Sequence, residues 1–329
     1  IRGVSCNSWF CAHSLQQIKC YVMYENLTVI LQGALSPRTA SIIANWRASA
    51  KGCEIVLSSW VHDPELAALV NSYVVSSDPG AFPVMHKGGI LRTENTNRQI
   101  VSSVAGLRSA TREIAIKWRT DFDFCSTLMS KFLSNYFPLI SEKEEKKLVV
   151  FSINSTNPFA GVGLVAQLSD WMYFGRTDLL LDLLPATPIP AIPENLEVPP
   201  KVIAERIFPI ARFSAEQWML REGFARVYGL ELNRFDDTNA IAPYLHLVGK
   251  NILTINPRTV GLTTAKYDYL FEPRLSTLRE FIGFRLSTIS QFDSMLFSTV
   301  LLRPFAVGLL KCKGLVFNLY KFVMDRLRS

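Results

Sequence analysis

Ile114-Ala115-Ile116-Lys117-Trp118-Arg119-Thr120-Asp121-Phe122-Asp123 is the stretch that decides how this chain folds. Its apolar first half reads as a buried strand, and the two carboxylates fall where that strand runs out. In an open α/β sheet that carboxyl edge is where ligands bind. Two aspartates one position apart repel each other in a poorly hydrated cleft, and a divalent cation would relieve the repulsion. Hard cations prefer carboxylate oxygen and keep positions open for substrate phosphates. Asp121 and Asp123 are therefore candidate ligands for Mg²⁺ or Mn²⁺. The plainer reading is a solvated acidic turn that caps the next helix.

The flanking sequence supports the strand. Upstream, Thr28 to Leu31 forms a first strand ending at Gln32-Gly33. Pro37 then starts a helix from Thr39 to Ala50, which Lys51-Gly52 stops. Glu54 to Trp60 is a second strand, and Asp63-Pro64 opens a short helix to about Val70. Tyr73 to Val75 is a third strand, closed by Ser76-Ser77-Asp78-Pro79-Gly80. Residues 81 to 91, with Pro83, Gly88 and Gly89, read as an irregular loop. A helix from Asn95 to Thr111 leads into the fourth strand, Glu113 to Trp118. Downstream lie a helix from Thr127 to Phe137 and strands at Leu148 to Ile153 and Ser169 to Phe174. A helix from Asp178 to Leu184, one from Ser214 to Tyr228 and a late strand from Asn251 to Ile255 follow. Alternation of strand and helix predicts an α/β fold, a doubly wound, mostly parallel sheet with helices on both faces.

The chain has 329 residues, 49% of them hydrophobic and 19% charged, with a net charge of +7. That composition is globular, and the positive charge suits anionic partners. The excess gathers beyond Arg274, where Arg279, Arg285, Arg303, Lys311, Lys313 and Lys321 mix with Phe, Leu and Val. This mixture favours a membrane surface over nucleic acid, through an interfacial segment at 295–324; a packed terminal helix is the alternative. The six cysteines include no CxxC pair, which fits reduced thiols in a cytoplasmic protein and speaks against zinc. The chain begins at Ile1, residues 1 to 20 lack a signal-peptide pattern, and no run of about 20 apolar residues predicts a spanning helix. Pro185 to Pro200 holds six prolines and reads as a loop or flap.

Candidate ligand-binding residues collect at the predicted strand ends. Gln32, Gly33 and Asp78 would meet in one crevice with the acidic pair. Asp78 could accept from a base or ribose, or only set the turn before Pro79. Asn97 and Arg98 lie in the first turn of a helix, where phosphate is attracted. Lys117 and Arg119 share one face of the fourth strand, opposite Trp118, and need anions nearby: a diphosphate, or Asp121 itself. Asp170, beside Trp171, Tyr173 and Phe174, and Glu216, in a helix first turn, are candidate bases. An aromatic core with a surface Asp, and a helix-dipole contact, are the respective alternatives. Gly161-Val162-Gly163 lacks a dinucleotide fingerprint, and no Walker sequence or Gly-X-Ser-X-Gly elbow occurs.

Several stretches resemble the WavE lipopolysaccharide synthesis family, and through it a GT-A glycosyltransferase. They are Leu31-Gln32-Gly33 with Ser41 to Arg47; Glu54 to Trp60; Ser77 to Gly80; Asn97-Arg98-Gln99 with Gly106-Leu107; Lys117 to Asp121; Ser169 to Gly175; and Glu216-Gln217-Trp218. The resemblance covers roughly residues 28 to 230. It implies transfer of a sugar from a nucleotide-sugar donor to a lipid-linked or oligosaccharide acceptor of the cell surface. By that likeness Glu216 is the preferred general base and Asp121 the more secure metal ligand, since relatives often vary at the position of Asp123.

The resulting expectation is three regions: an N-terminal extension at 1–27, a GT-A-like catalytic domain at 28–270 and a basic, apolar helical region at 271–329. The location expected is cytoplasmic, with a peripheral seat on the inner face of the cytoplasmic membrane as its extension. No nucleic-acid partner is expected. The competing functions are a sugar nucleotidyltransferase, for which only Arg38 is present to hold a triphosphate near the first strand, and a catalytically silent scaffold of a polysaccharide assembly complex.

Overall fold

The computed structural model describes residues 24–86, 89–142, 146–152, 155, 165–188, 215–233 and 237–264. The N-terminal extension before residue 24, most of the proline-rich stretch, Ser214, Gly161 to Gly163 and the basic C-terminal region lie outside the described residues.

The described residues form nine strands: β1 (Leu27–Gln32), β2 (Glu54–Ser59), β3 (Ser72–Val75), β4 (Phe82–His86), β5 (Gly89–Glu94), β6 (Ile114–Arg119), β7 (Leu148–Phe151), β8 (Met172–Arg176) and β9 (Ile252–Ile255). The helices are α1 (Thr39–Ser49), α2 (Pro64–Ala67), α3 (Thr96–Ser109), α4 (Ser126–Ile140), α5 (Thr177–Leu183), α6 (Ala215–Tyr228) and α7 (Ile241–Asn251). Seven strands join one sheet in the order β3-β2-β1-β6-β8-β7-β9. The pairs β3–β2, β2–β1, β1–β6 and β7–β9 are parallel, whereas β8 runs antiparallel to both β6 and β7. The expected mostly parallel α/β architecture is what forms.

Alternation along the strands builds two cores. Val29, Leu31, Ile55, Leu57, Ile116 and Trp118 point to the face covered by α1 and α4, where Ile42, Trp46, Met129 and Phe132 meet them. Ile30, Val56, Ala115, Val150 and Tyr173 point to the face covered by α3, α5, α6 and α7, against Ile100, Leu180, Phe224 and Tyr244. Gly106 lets α3 lie on the sheet: a Cβ there would sit 2.5 Å from Ile30 Cγ2. Asp63 caps α2 by accepting from the amides of Glu65 and Leu66, with Pro64 at the first helical position.

Three readings are corrected. Residues 82–94 form an antiparallel hairpin, β4–β5, with a bulge between Val84 and Met85. Pro83 and Gly89 look like breakers, yet proline is tolerated where a strand has no further neighbour, and Gly89 opens β5; Gly88 lies outside the described residues. The strand placed at Ser169–Phe174 forms later, at Met172–Arg176, because Ser169 and Asp170 belong to the loop entering it. Helix α4 continues past Phe137 to Ile140 with Pro138 inside it. Helix α7, with Tyr244, Leu247 and Val248 on its buried face, was not legible in the sequence.

Candidate active site

The strand order turns back at β1: β2 lies on one side of it and β6 on the other. A crevice outside the carboxyl ends of the strands opens at such a reversal. Because β8 is antiparallel, its entering loop reaches the same edge, so Asp170 joins Gln32, Gly33, Asp78 and Asp121 there although it precedes its strand. Helix α6 is tied to that loop by Gln217, whose Nε2 donates to the carbonyl of Val165 at 2.6 Å, and this brings Glu216 to the same side.

The loops after β1 and β6 are sewn together. The Thr120 amide donates to Gln32 O at 3.2 Å, Thr120 Oγ1 donates to Ala34 O, and Ser36 Oγ donates to Thr120 O at 3.2 Å. Gly33 has φ +125°, a conformation only glycine adopts without strain, and its amide donates to Ser58 O at 3.2 Å. Gln32 is buried, with Oε1 accepting from Ser102 Oγ on α3 at 2.8 Å. It braces the floor of the crevice. Trp118 sends Nε1 back to Phe122 O at 2.7 Å, which fixes the turn carrying the aspartates.

The aspartates have different partners. Asp121 is held in a fork by Arg119, Nε to Oδ1 at 2.9 Å and Nη2 to Oδ2 at 2.8 Å, and the guanidinium also lies 4.5 Å from the Phe122 ring centre. Asp123 Oδ1 accepts from Asn45 Nδ2 at 2.7 Å and from the Phe124 amide at 2.8 Å, while its backbone bridges Thr263. Its Oδ2 has no hydrogen-bond partner among the described residues. Among those residues no group of three or more His, Cys, Asp or Glu could by itself hold a metal ion. Hard carboxylate oxygens in small number suit a cation that completes its shell with substrate phosphate and water. Lone pairs remain on both Asp121 oxygens and on Asp123 Oδ2, so the donor chemistry fits.

Asp78 and Arg98, expected as separate ligand contacts, hold each other. Arg98 Nε and Nη2 donate to the two Asp78 oxygens at 2.8 and 2.7 Å, and Nη1 to Asn95 Oδ1 at 3.0 Å. The guanidinium keeps the Asp78 carboxyl below its ordinary range, helped by the Gly80 amide. Arg98 also lies over Trp60, 5.4 Å from the ring centre. Asn97 is buried beside it in the first turn of α3.

Lys117 lies beneath the crevice rather than in it. The side chain is fully buried, its Nζ donates to the main-chain carbonyl of Asp170, and it sits 4.9 Å from the Tyr173 ring centre. Burial pushes its ammonium down to about 8, while the Asp170 charge pulls the other way. Tyr173 is buried with an unpartnered hydroxyl, and burial, Asp170 and Glu216 all push that phenol well up. Asp170 is 8% exposed, and its carboxylate has no hydrogen-bond partner among the described residues. Sequence reasoning missed Thr120, Trp60 and the buried hydroxyls of Ser58, Ser59 and Ser103, which have no hydrogen-bond partner among the described residues. The polar Ser58-Ser59 closing an apolar strand was the available signal.

The family described as WavE lipopolysaccharide synthesis matches residues 27–281. The chain belongs to the WavE family. The match spans the whole seven-stranded sheet and every strand end just described. No curated protein matches this WavE member. Among solved structures, the crystal structure of S. aureus TarS 1-349 is similar at 14% identity, over 88% of this chain and 79% of that one, with a TM-score of 0.34.

Proposed function

We propose that this WavE protein is a glycosyltransferase that moves a sugar from a nucleotide-sugar donor to a lipid-linked or oligosaccharide acceptor in cell-surface glycan synthesis. The observation carrying the reading is the gathering of Gln32, Gly33, Asp78, Arg119, Asp121 and Asp170 at one strand-order reversal, in a family of lipopolysaccharide synthesis. The donor's nucleoside enters between the β1 loop and the Asp78–Arg98 pair, where the guanidinium leaves Asp78 ionised and aimed.

Charge supports a cation with the donor. Arg98, Lys117 and Arg119 stand against Asp78, Asp121, Asp123, Asp170 and Glu216, so the edge is slightly negative and would repel a bare diphosphate. Asp121, with Asp123 through Oδ2, would hold Mg²⁺ or Mn²⁺, and a bound cation supplies positive charge against the diphosphate leaving group. Arg119 orients Asp121 and adds charge of its own. Asp170 or Glu216 accepts the proton of the acceptor hydroxyl. We assign the protein to the cytoplasmic side, where nucleotide sugars are made.

A thermal-shift screen of UDP-, GDP-, CMP- and dTDP-sugars, each with and without Mn²⁺, tests the reading. One nucleotide class should raise the midpoint, more so with the cation. Failure of every nucleotide diphosphate to bind would overturn it in favour of a silent scaffold, and a response to a nucleoside triphosphate alone would favour a nucleotidyltransferase.

A further inference from the structure

Lys117 is the odd charge in this site. A fully buried ammonium is costly unless something nearby is worth holding. Its register neighbours are Ile30 on β1 and Tyr173 on β8, neither of which is an anion. The charged groups acting on it are Asp170 from the loop entering β8, and Arg119 and Asp121 from its own strand end. Glu216, from α6, acts on Tyr173. Among the described residues its one hydrogen bond goes to the main chain of Asp170, and the Tyr173 ring lies over it. Asp170 in turn is almost buried, has no hydrogen-bond partner for its carboxylate among the described residues, and stands at the crevice edge. A carboxylate so placed has its lone pairs left for an incoming proton.

We propose that Lys117 is a positioning residue for Asp170: from beneath the crevice it fixes the Asp170 main chain and supplies the charge that keeps this carboxylate ready to take the acceptor proton. The inference rests on the glycosyltransferase reading and selects Asp170 over Glu216 as the base. In the step served, the acceptor oxygen bonds to the anomeric carbon as the bond from that carbon to the diphosphate oxygen breaks. The diphosphate oxygen leaves with the electron pair, and the acceptor proton goes to Asp170. Tyr173 shields the lysine from water, so its charge acts on the carboxylate at low dielectric.

Two variants of the full chain test this. Asp170→Asn removes the charge and keeps the shape. Its melting point should fall by about 3 °C or more at about pH 6, where Lys117 is charged, and by less than about 1 °C at about pH 9.5, where the amine is neutral. Equal shifts at the two pH values would overturn the coupling, and this readout needs no substrate. Lys117→Met, assayed with the nucleotide sugar the thermal screen selects, should lower kcat about tenfold or more and leave donor KM within about twofold. The acid limb of its kcat profile should move up by about one pH unit, as Asp170 loses its cation. An acid limb left in place in a folded Lys117→Met protein sinks the proposal. If the wild type turns over no nucleotide sugar, the glycosyltransferase reading falls, whereas the melting-point comparison still reports whether Lys117 and Asp170 are paired.

Discussion

Arg119 grips both carboxylate oxygens of Asp121 across a single intervening residue, at 2.9 and 2.8 Å. The fork lies at the strand-order reversal, and its side chains are 16% and 35% exposed. A pair this open to water contributes little to folding, on the order of 0–1 kcal/mol. Its value is geometric, because it fixes the orientation of the Asp121 carboxylate. Asp121→Ala should therefore reduce turnover by about a thousandfold or more with the melting point almost unchanged. Wild-type rates in that variant, with a competent donor, would remove Asp121 from the chemistry.

Asp123 should in addition carry a stability cost. Its Oδ1 satisfies Asn45 and the Phe124 amide, which lock the turn to α1 and start the approach to α4. Asp123→Ala leaves both donors without that acceptor and should cost about 1–2 kcal/mol in denaturant unfolding. Asp123→Asn keeps an acceptor oxygen and should recover most of it. If Asp123→Ala is as stable as wild type, these bonds do not hold the turn.

Lys117 sets a pH dependence of stability. Its folded value of about 8 lies below the ordinary 10.5, so between these values the unfolded chain binds the proton that the folded chain has released. Stability contributed by this group therefore rises with pH across that window, by as much as about 3 kcal/mol, and is flat below it. Lys117→Met should abolish the rise. Chemical denaturation of both proteins from about pH 7 to about pH 10.5 measures the difference.

Two glycines mark where helices touch backbone or branched side chains. A Cβ at Gly223 would fall 2.0 Å from Leu183 O, in the main chain ending α5. At Gly106 the nearest atom is Ile30 Cγ2, at 2.5 Å. Gly106→Ala should cost about 1–3 kcal/mol, since a side chain can give way, and Gly223→Ala more, since a backbone cannot. The reverse order in unfolding experiments would mean that α6 can slide along α5.

The amino edge of the sheet offers a control. Glu54 is buried there and accepts from Thr28 Oγ1 at 2.5 Å, the Thr111 amide at 2.9 Å and Thr111 Oγ1 at 3.0 Å. Glu54→Ala strands these donors and should cost about 2–3 kcal/mol. Because every candidate ligand contact lies at the other end of the strands, donor affinity should stay within about twofold. A large loss of affinity in folded Glu54→Ala protein would argue that the two edges are coupled.

Local chemistry made much of this legible in one dimension. Apolar runs such as Ile114 to Ile116, the Asp63-Pro64 helix start and Gly52 after α1 each act over a few residues, so strands and helices could be placed by inspection. The parallel order and the carboxyl-edge gathering followed from alternation. The hairpin at 82–94 and α7 were lost because breaker residues outweighed a short-range pattern that only pairing or a neighbouring core rewards. The fates of the charges were lost for a different reason. Sequence offered Asp78 and Arg98 as ligand contacts, Lys117 and Arg119 as partners of a diphosphate or of Asp121, and Asp170 as a candidate base. Contacts between residues up to 53 positions apart then decided that Arg98 holds Asp78 and that Lys117 donates to the main chain of Asp170. Burial and ion pairing are properties of three-dimensional neighbours, and no local pattern encodes them. What the sequence by itself determined is which strands carry residues to the edge of the sheet; which of those residues hold one another was decided only by the tertiary fold, in which β8 runs back between β6 and β7 and carries Asp170 to Lys117.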